Sequence, residues 1–275
     1  MRRQINGAGD NKLMYKLVAV NSQAVESVEN LKRLGIDVFE IKGSGITDDS
    51  TTLHADMLVN LIADDILLID ESQLEIADFA SKYTESRVLK QDELVKYLTS
   101  ESGEGSFQNF RGLNIVPVKE KITSPYPNDV PLNVRVVGKS IICNKKYVAD
   151  EIKLFAKYRD FNLIQTNQGY AGCSCVKLNN SVLTDDRSIY NSLNDRAIDC
   201  TIISKGSIKL NGMNYGFIGG CCGYLDKNVI GFNGEIKSHT DGDLIIKTLD
   251  DNKINYIELA SGILTDIGGI VPIIK

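Results

Sequence analysis

Long apolar runs, prolines and surplus basic charge are all scarce in this chain of 275 residues. No stretch approaches the roughly 20 apolar residues that a membrane-crossing helix needs. Prolines number 5 against 23 glycines, so Pro-rich linkers between domains are absent. Lys and Arg total 31 and Asp and Glu 36, a formal net charge of -5. A mildly acidic chain has no general pull toward phosphate backbones or anionic lipid, so neither nucleic acid nor membrane is an expected partner. Behind the basic start, Met1-Arg2-Arg3, no apolar run follows; no export signal is read, and a cytoplasmic protein is expected. What is present is ordinary for a folded chain, with 43% hydrophobic and 24% charged residues.

The cysteines are Cys143, Cys173, Cys175, Cys200, Cys221 and Cys222. An even count suits disulfides in a secreted protein. A chain of this size without an export signal buries a core without staples, so reduced thiols are expected.

Several stretches share one plan: a β-like run, a turn, a second run, a helix and a closing strand. In residues 172–204, Cys173 to Leu178 alternates and Asn179-Asn180 has turn chemistry. Ser181 to Leu183 is a second strand, Thr184-Asp185-Asp186 opens a helix through Ile189 and Leu193, and Ile198 to Ile203 closes the unit. The same order runs from Phe217 to Leu259, with Thr240-Asp241 as helix start. An earlier unit begins at His54, whose first strand is read as His54 to Val59. Another begins near Pro131, with Asn144 as helix cap. The last unit is split: Leu264 to Ile274 supplies a strand at one terminus. Leu17 to Val20, a helix with Val25, Val28 and Leu31, and Ile36 to Phe39 supply the rest at the other. The expectation is one domain over residues 1–275 with an insertion at about 84–128. Its Gln91 to Tyr97 looks helical, and its polar stretch Ser100 to Ser106 is either an active-site lid or a plain surface excursion.

Five ββαβ units with a circularly split last unit resemble the guanidine-modifying-enzyme, or pentein, superfamily. Local wording carries the likeness too: His54-Ala55-Asp56-Met57, Tyr126-Pro127-Asn128-Asp129-Val130-Pro131-Leu132-Asn133, Gln168-Gly169-Tyr170-Ala171-Gly172-Cys173-Ser174 and Thr265-Asp266-Ile267-Gly268-Gly269. These resemble a bacterial subgroup without the usual C-terminal catalytic Cys. The resemblance implies a five-bladed α/β propeller. In catalysing members a Cys late in the final unit attacks the guanidinium carbon, helped by a His from the fourth unit and by carboxylates. This chain departs there: Ile270, Val271 and Pro272 follow Gly268-Gly269, no Cys follows Cys222, and Phe217-Ile218-Gly219-Gly220 stands where the His is expected. The other histidine, His239, is expected away from the centre.

In such a ring the first strand of each unit lies near the axis. The candidate set is therefore His54, Asp56, Asn133, Cys173, Cys175, Cys221, Cys222 and Asp266. His54/Asp56 and Cys173/Cys175 are taken as i, i+2 pairs on one strand face. One reading is a thiol site: Cys173 or Cys221 attacks an electrophilic carbon, with His54 as base and Asp56 or Asp266 holding a cation. Asn133, Cys175, Cys222 and Asp266 then bind ligand, and Cys173, flanked by Gly172 and Ser174, is the most reactive thiol. The other reading makes the cysteines small buried hydrophobes. Cys143 and Cys200 are read as core. A soft metal is a third possibility, although Cys-Ser-Cys and Cys-Cys lack the gap of zinc knuckles; no metal and no cofactor are assigned. The expected function is a thiol-dependent hydrolase or transferase on a small guanidino or amide metabolite at the ring axis. The alternative is a non-enzymatic binding or assembly protein, for which a ribosome anti-association factor of the same fold is the precedent.

Overall fold

The computed structural model describes residues 13–41, 43, 52–100 and 110–275. The basic start, and Glu101 to Ser106 of the polar stretch read as a lid, lie outside the described residues.

The chain opens with β1 (Leu17–Asn21), α1 (Val25–Arg33) and β2 (Asp37–Ile41). Strand β1 pairs in parallel with β2 across the helix that links them. All of β1 is buried, and its alternation serves two cores: Leu17 and Ala19 face one apolar cluster, Val18 and Val20 another.

The next segment holds α2 (Ala55–Leu58), β3 (Val59–Ala63), β4 (Ile66–Ile69), α3 (Ile76–Ala80), β5 (Ser86–Val88), α4 (Gln91–Thr99) and β6 (Leu113–Pro117). Here β3 and β4 are antiparallel, and β4 and β6 parallel. The expected strand from His54 thus begins late, because Ala55 to Leu58 coil into a turn of helix first. The stretch expected as an insertion is only partly one. Within it, β6 is the closing strand of the unit, and β5, near its start, lies at the sheet edge beside β6. The helix expected over Gln91 to Tyr97 is α4, which buries Leu94 and Leu98.

Three further units follow: β7 (Arg135–Val137), β8 (Ser140–Cys143), α5 (Asp150–Tyr158) and β9 (Asn162–Gln165); β10 (Cys175–Lys177), β11 (Val182–Thr184), α6 (Arg187–Asn194) and β12 (Cys200–Ile202); β13 (Cys222–Asp226), β14 (Val229–Phe232), α7 (Gly242–Asp251) and β15 (Asn255–Glu258). Each has an antiparallel hairpin followed by a parallel crossover. Asp186 caps α6, its Oδ1 accepting from Ser188 N and Ile189 N at 2.8 and 3.1 Å, so the cap lies two residues beyond Thr184, which ends β11. Asn144 caps no helix; its Oδ1 accepts from Lys146 N in a turn, and α5 starts at Asp150.

Finally β16 (Ile270–Ile274) pairs antiparallel with β1, Val20 opposite Ile270 and Leu17 opposite Ile274. This is the pairing that the split repeat predicts. Among the described residues there are five sheets with this plan. Their first strands touch in sequence. Asn60 of β3 donates to Leu132 O and Val134 O beside β7. Strand β7 lies against β10, Tyr224 of β13 donates to Lys177 O of β10, and β13 meets β16, which meets β3.

Candidate functional site

Most of the chemistry-bearing residues converge just ahead of the first strands rather than on them. His54 precedes α2 and Asp56 sits within it. The Asp56 N–H donates to Gly268 O at 2.9 Å. Gly268 has φ +76, and a Cβ there would lie 2.3 Å from His54 Cα, so this close approach requires glycine. Asp266 folds back beside it, accepting from Gly268 N (2.9 Å) and Phe217 N (2.8 Å). From the third unit comes Cys173, in the turn before β10. Its Sγ donates to Asp56 Oδ2 at 2.9 Å and accepts from Asn133 Nδ2 at 3.2 Å, while its N–H donates to Asn133 Oδ1 at 3.0 Å. His54 Nδ1 is 3.9 Å from Asp266 Oδ1, beyond hydrogen-bond reach, and neither ring nitrogen has a hydrogen-bond partner. Donor atoms of His54, Asp56 and Cys173 all lie within 4.8 Å of one another.

Five candidates are therefore brought together: His54, Asp56, Asn133, Cys173 and Asp266. The i, i+2 strand pairs are not what unites them, because Asp56 lies on a helical turn with His54 just ahead of it, and Cys173 lies in a turn before β10. The remaining thiols go elsewhere. Cys175 Sγ donates to Ala171 O, Cys221 Sγ to Phe217 O and Cys222 Sγ to Ile218 O, each four residues back. Cys221 sits in a 3-10 turn, Gly219–Cys221, ahead of β13. Cys143 is buried, as expected of a core residue, whereas Cys200 is partly exposed. His239 is buried outside the cluster, its Nδ1 accepting from Asp241 N near the start of α7.

Burial dominates the electrostatics. It pushes the Asp56 carboxyl up to about 6, opposed by His54 and reinforced by Asp266. Burial, and then the Asp56 and Asp266 charges, hold the Cys173 thiol well above its usual range. With 1% of its surface exposed and Asn133 packed on Gly172, Cys173 does not have the room its small neighbours suggest. Cys175 and Cys222 are pushed to about 12 by the same burial.

A pocket of about 310 Å³ opens next to this cluster. It is lined from all five sheets, by Val59 to Ala63, Arg135, Lys177, Tyr224 and Ile270 to Pro272, and Asp56 reaches its wall. Cys222 also lines it; Cys173 and His54 stand behind Asp56 and are not in its wall.

Two polar residues were not singled out from the sequence. Arg135 belongs to the pocket wall, and its guanidinium donates to Gly172 O beside Cys173. Asp185 is 3% exposed, with Oδ2 accepting from Ile218 N at 2.9 Å and Oδ1 unpartnered; burial raises it to about 7. The Asp185-Asp186 doublet held part of the signal: Asp186 takes the cap of α6, and Asp185 is turned inward to Ile218 N.

No curated protein matches the chain. Solved structures of similar shape include SxtG, an amidinotransferase from Microseira wollei in the saxitoxin biosynthetic pathway. It is 12% identical with a TM-score of 0.46, covering 94% of this chain and 91% of that one. A dimethylarginine dimethylaminohydrolase from Pseudomonas aeruginosa complexed with citrulline is 9% identical with a TM-score of 0.45, covering 90% and 93%. An inosamine-phosphate amidinotransferase from Streptomyces griseus is 12% identical with a TM-score of 0.45, covering 96% and 95%. Residues 85–271 match the model of a family of unknown function, DUF6873, and the chain belongs to that family.

Proposed function

We propose that the five sheets close into a five-bladed α/β propeller of the guanidine-modifying type, and that its axial pocket binds a small guanidino- or amide-bearing metabolite. One observation carries this: the first strands of all five units line a single pocket, and a buried carboxylate with an unpartnered oxygen, Asp56 Oδ1, stands at its wall. A buried acceptor without a donor costs stability until a ligand supplies one. Planar N–H donors of a guanidinium or amide suit a carboxylate. Arg135 and Lys177, on the same wall, suit an acidic group at the ligand's other end.

A second reading, thiol-dependent hydrolysis or transfer on the bound metabolite, draws on Cys173 Sγ lying 2.9 Å from Asp56 with His54 close by. A thiolate is the attacking form. Burial and two carboxylates oppose it, so binding is the better supported function. The test is calorimetric titration with guanidino, amide and amino-acid compounds. Binding is expected in the unaltered protein, with loss in Asp56→Asn and weakening in Arg135→Gln. No binding by any of these compounds, or equal binding by Asp56→Asn, overturns the proposal.

A further inference from the structure

We infer that His54, Asp56 and Cys173 form a binding site for one divalent transition-metal ion of the zinc class. The inference goes beyond the metabolite pocket and shares only one observation with it, the unpartnered Asp56 Oδ1. The first is the donor set: an imidazole nitrogen, a carboxylate oxygen and a sulfur within 4.8 Å of one another, all three residues buried. They come from positions 54, 56 and 173, so only the tertiary fold assembles them, and the spacing of the cysteines in sequence gives no sign of it.

The second observation points to an absent partner. His54 is 1% exposed, yet neither Nδ1 nor Nε2 has a hydrogen-bond partner, and Asp56 Oδ1 has none either. Buried imidazoles ordinarily satisfy at least one nitrogen, because stranding a polar group away from water is costly. An ion meets these unsatisfied donor atoms together. It also supplies positive charge where Asp56 and Asp266 are both buried and neither pairs with a Lys or Arg side chain among the described residues. The third observation is the surrounding support. Asn133 Nδ2 donates to Cys173 Sγ at 3.2 Å, a contact that favours a metal-bound thiolate. Asp266 Oδ1, 3.9 Å from His54 Nδ1, adds a second carboxylate beside the ring without hydrogen-bonding to it.

The geometry asks for modest adjustment. Donors at about 2.0–2.3 Å from a tetrahedral ion lie roughly 3.3–3.7 Å from one another. The Cys173 Sγ to Asp56 Oδ2 contact of 2.9 Å, now a hydrogen bond, opens slightly, and the widest gap narrows by about an ångström. On binding, a metal–sulfur bond forms, and the thiol proton passes to the buffer; nothing is oxidised or reduced. Imidazole and thiolate favour zinc, cobalt or iron over magnesium and calcium, which prefer oxygen alone. Three protein donors leave a position open for water or for a ligand. A coordinated Cys173 is a metal ligand and not a free nucleophile, which separates this site from thiol chemistry.

The experiment is titration of the full chain, freed of metal by chelator and kept reduced, with Co²⁺ followed by Zn²⁺. Expected is one equivalent of Co²⁺ bound with a thiolate-to-cobalt charge-transfer band, displaced by Zn²⁺. Cys173→Ser removes the band, Asn133→Ala retains it with uptake weakened about 10–100-fold, and Cys200→Ser leaves it unchanged. X-ray absorption of the loaded, unaltered protein reports one sulfur with nitrogen and oxygen neighbours, and this holds as a test even where a variant fails to fold. Absence of stoichiometric uptake, sulfur-free coordination, or an unchanged band in Cys173→Ser overturns the inference. Calorimetry with guanidino compounds on the metal-free chain tests the pocket separately, so either idea can fail alone.

Discussion

Asp185 offers a stability test whose size follows from its surroundings. Its carboxyl, just past the end of β11, is buried, takes one hydrogen bond from Ile218 N, and leaves Oδ1 unpartnered. Lys205 and the Ile218 N–H favour its ionised form, whereas Asp186 and Asp266 oppose it; burial outweighs them all and brings it to about 7 from an ordinary 3.8. Between those two values the native state holds the proton more tightly than the unfolded chain does. The protein therefore loses stability from this group as pH rises through that window, and the loss is complete above about pH 7. A difference of about three units, at about 1.4 kcal/mol each, makes the full penalty roughly 4 kcal/mol. Asp185→Asn keeps an oxygen for Ile218 N and cannot ionise, but strands an amide group at a cost of about 1–3 kcal/mol. Relative to the unaltered chain it is expected to gain roughly 1–3 kcal/mol at about pH 8.5, and to lose about 0.5–2.5 kcal/mol at about pH 4, where little of the ionisation penalty is present. Urea unfolding of both proteins at the two pH values measures this. A difference independent of pH, or a clear loss at the higher pH, refutes the reasoning.

Native alkylation with iodoacetamide, mapped by mass spectrometry, is expected to modify partly exposed Cys200 before Cys173, whose thiol is buried and hydrogen-bonded to Asp56; early labelling of Cys173 would contradict the packing described. Gly268→Ala is expected to lose about 2–4 kcal/mol in denaturant unfolding, since the new Cβ meets His54 at a positive φ; a near-neutral effect would show that the turn relaxes freely. Arginine is expected to yield no citrulline at enzymatic rates, because Ile270, Val271 and Pro272 follow Gly268-Gly269. Rapid turnover, lost in His54→Ala, would show the nucleophile to be misplaced.

The sequence by itself determined the repeated unit and its circular split. Near-continuous apolar runs at Leu17 to Val20 and Ile270 to Ile274, and helical stripes such as Val28/Leu31 and Ile189/Leu193, are local patterns, and burial follows them directly. It also determined that a Cys is missing after Gly268-Gly269. Where each strand begins was decided by tertiary contacts. His54 to Leu58 reads as a plausible strand, yet the Asp56 N–H bonds to Gly268 O from the far end of the chain, and the segment coils. The same holds for the cysteines. The local cue at Cys173, its small neighbours Gly172 and Ser174, points to an open thiol that the fold instead buries; the arrival of Asn133 and Asp56 gives it polar partners, while Cys175 and Cys221 find carbonyls one turn back. The pocket is tertiary throughout, since no single unit can enclose a space that five first strands line together.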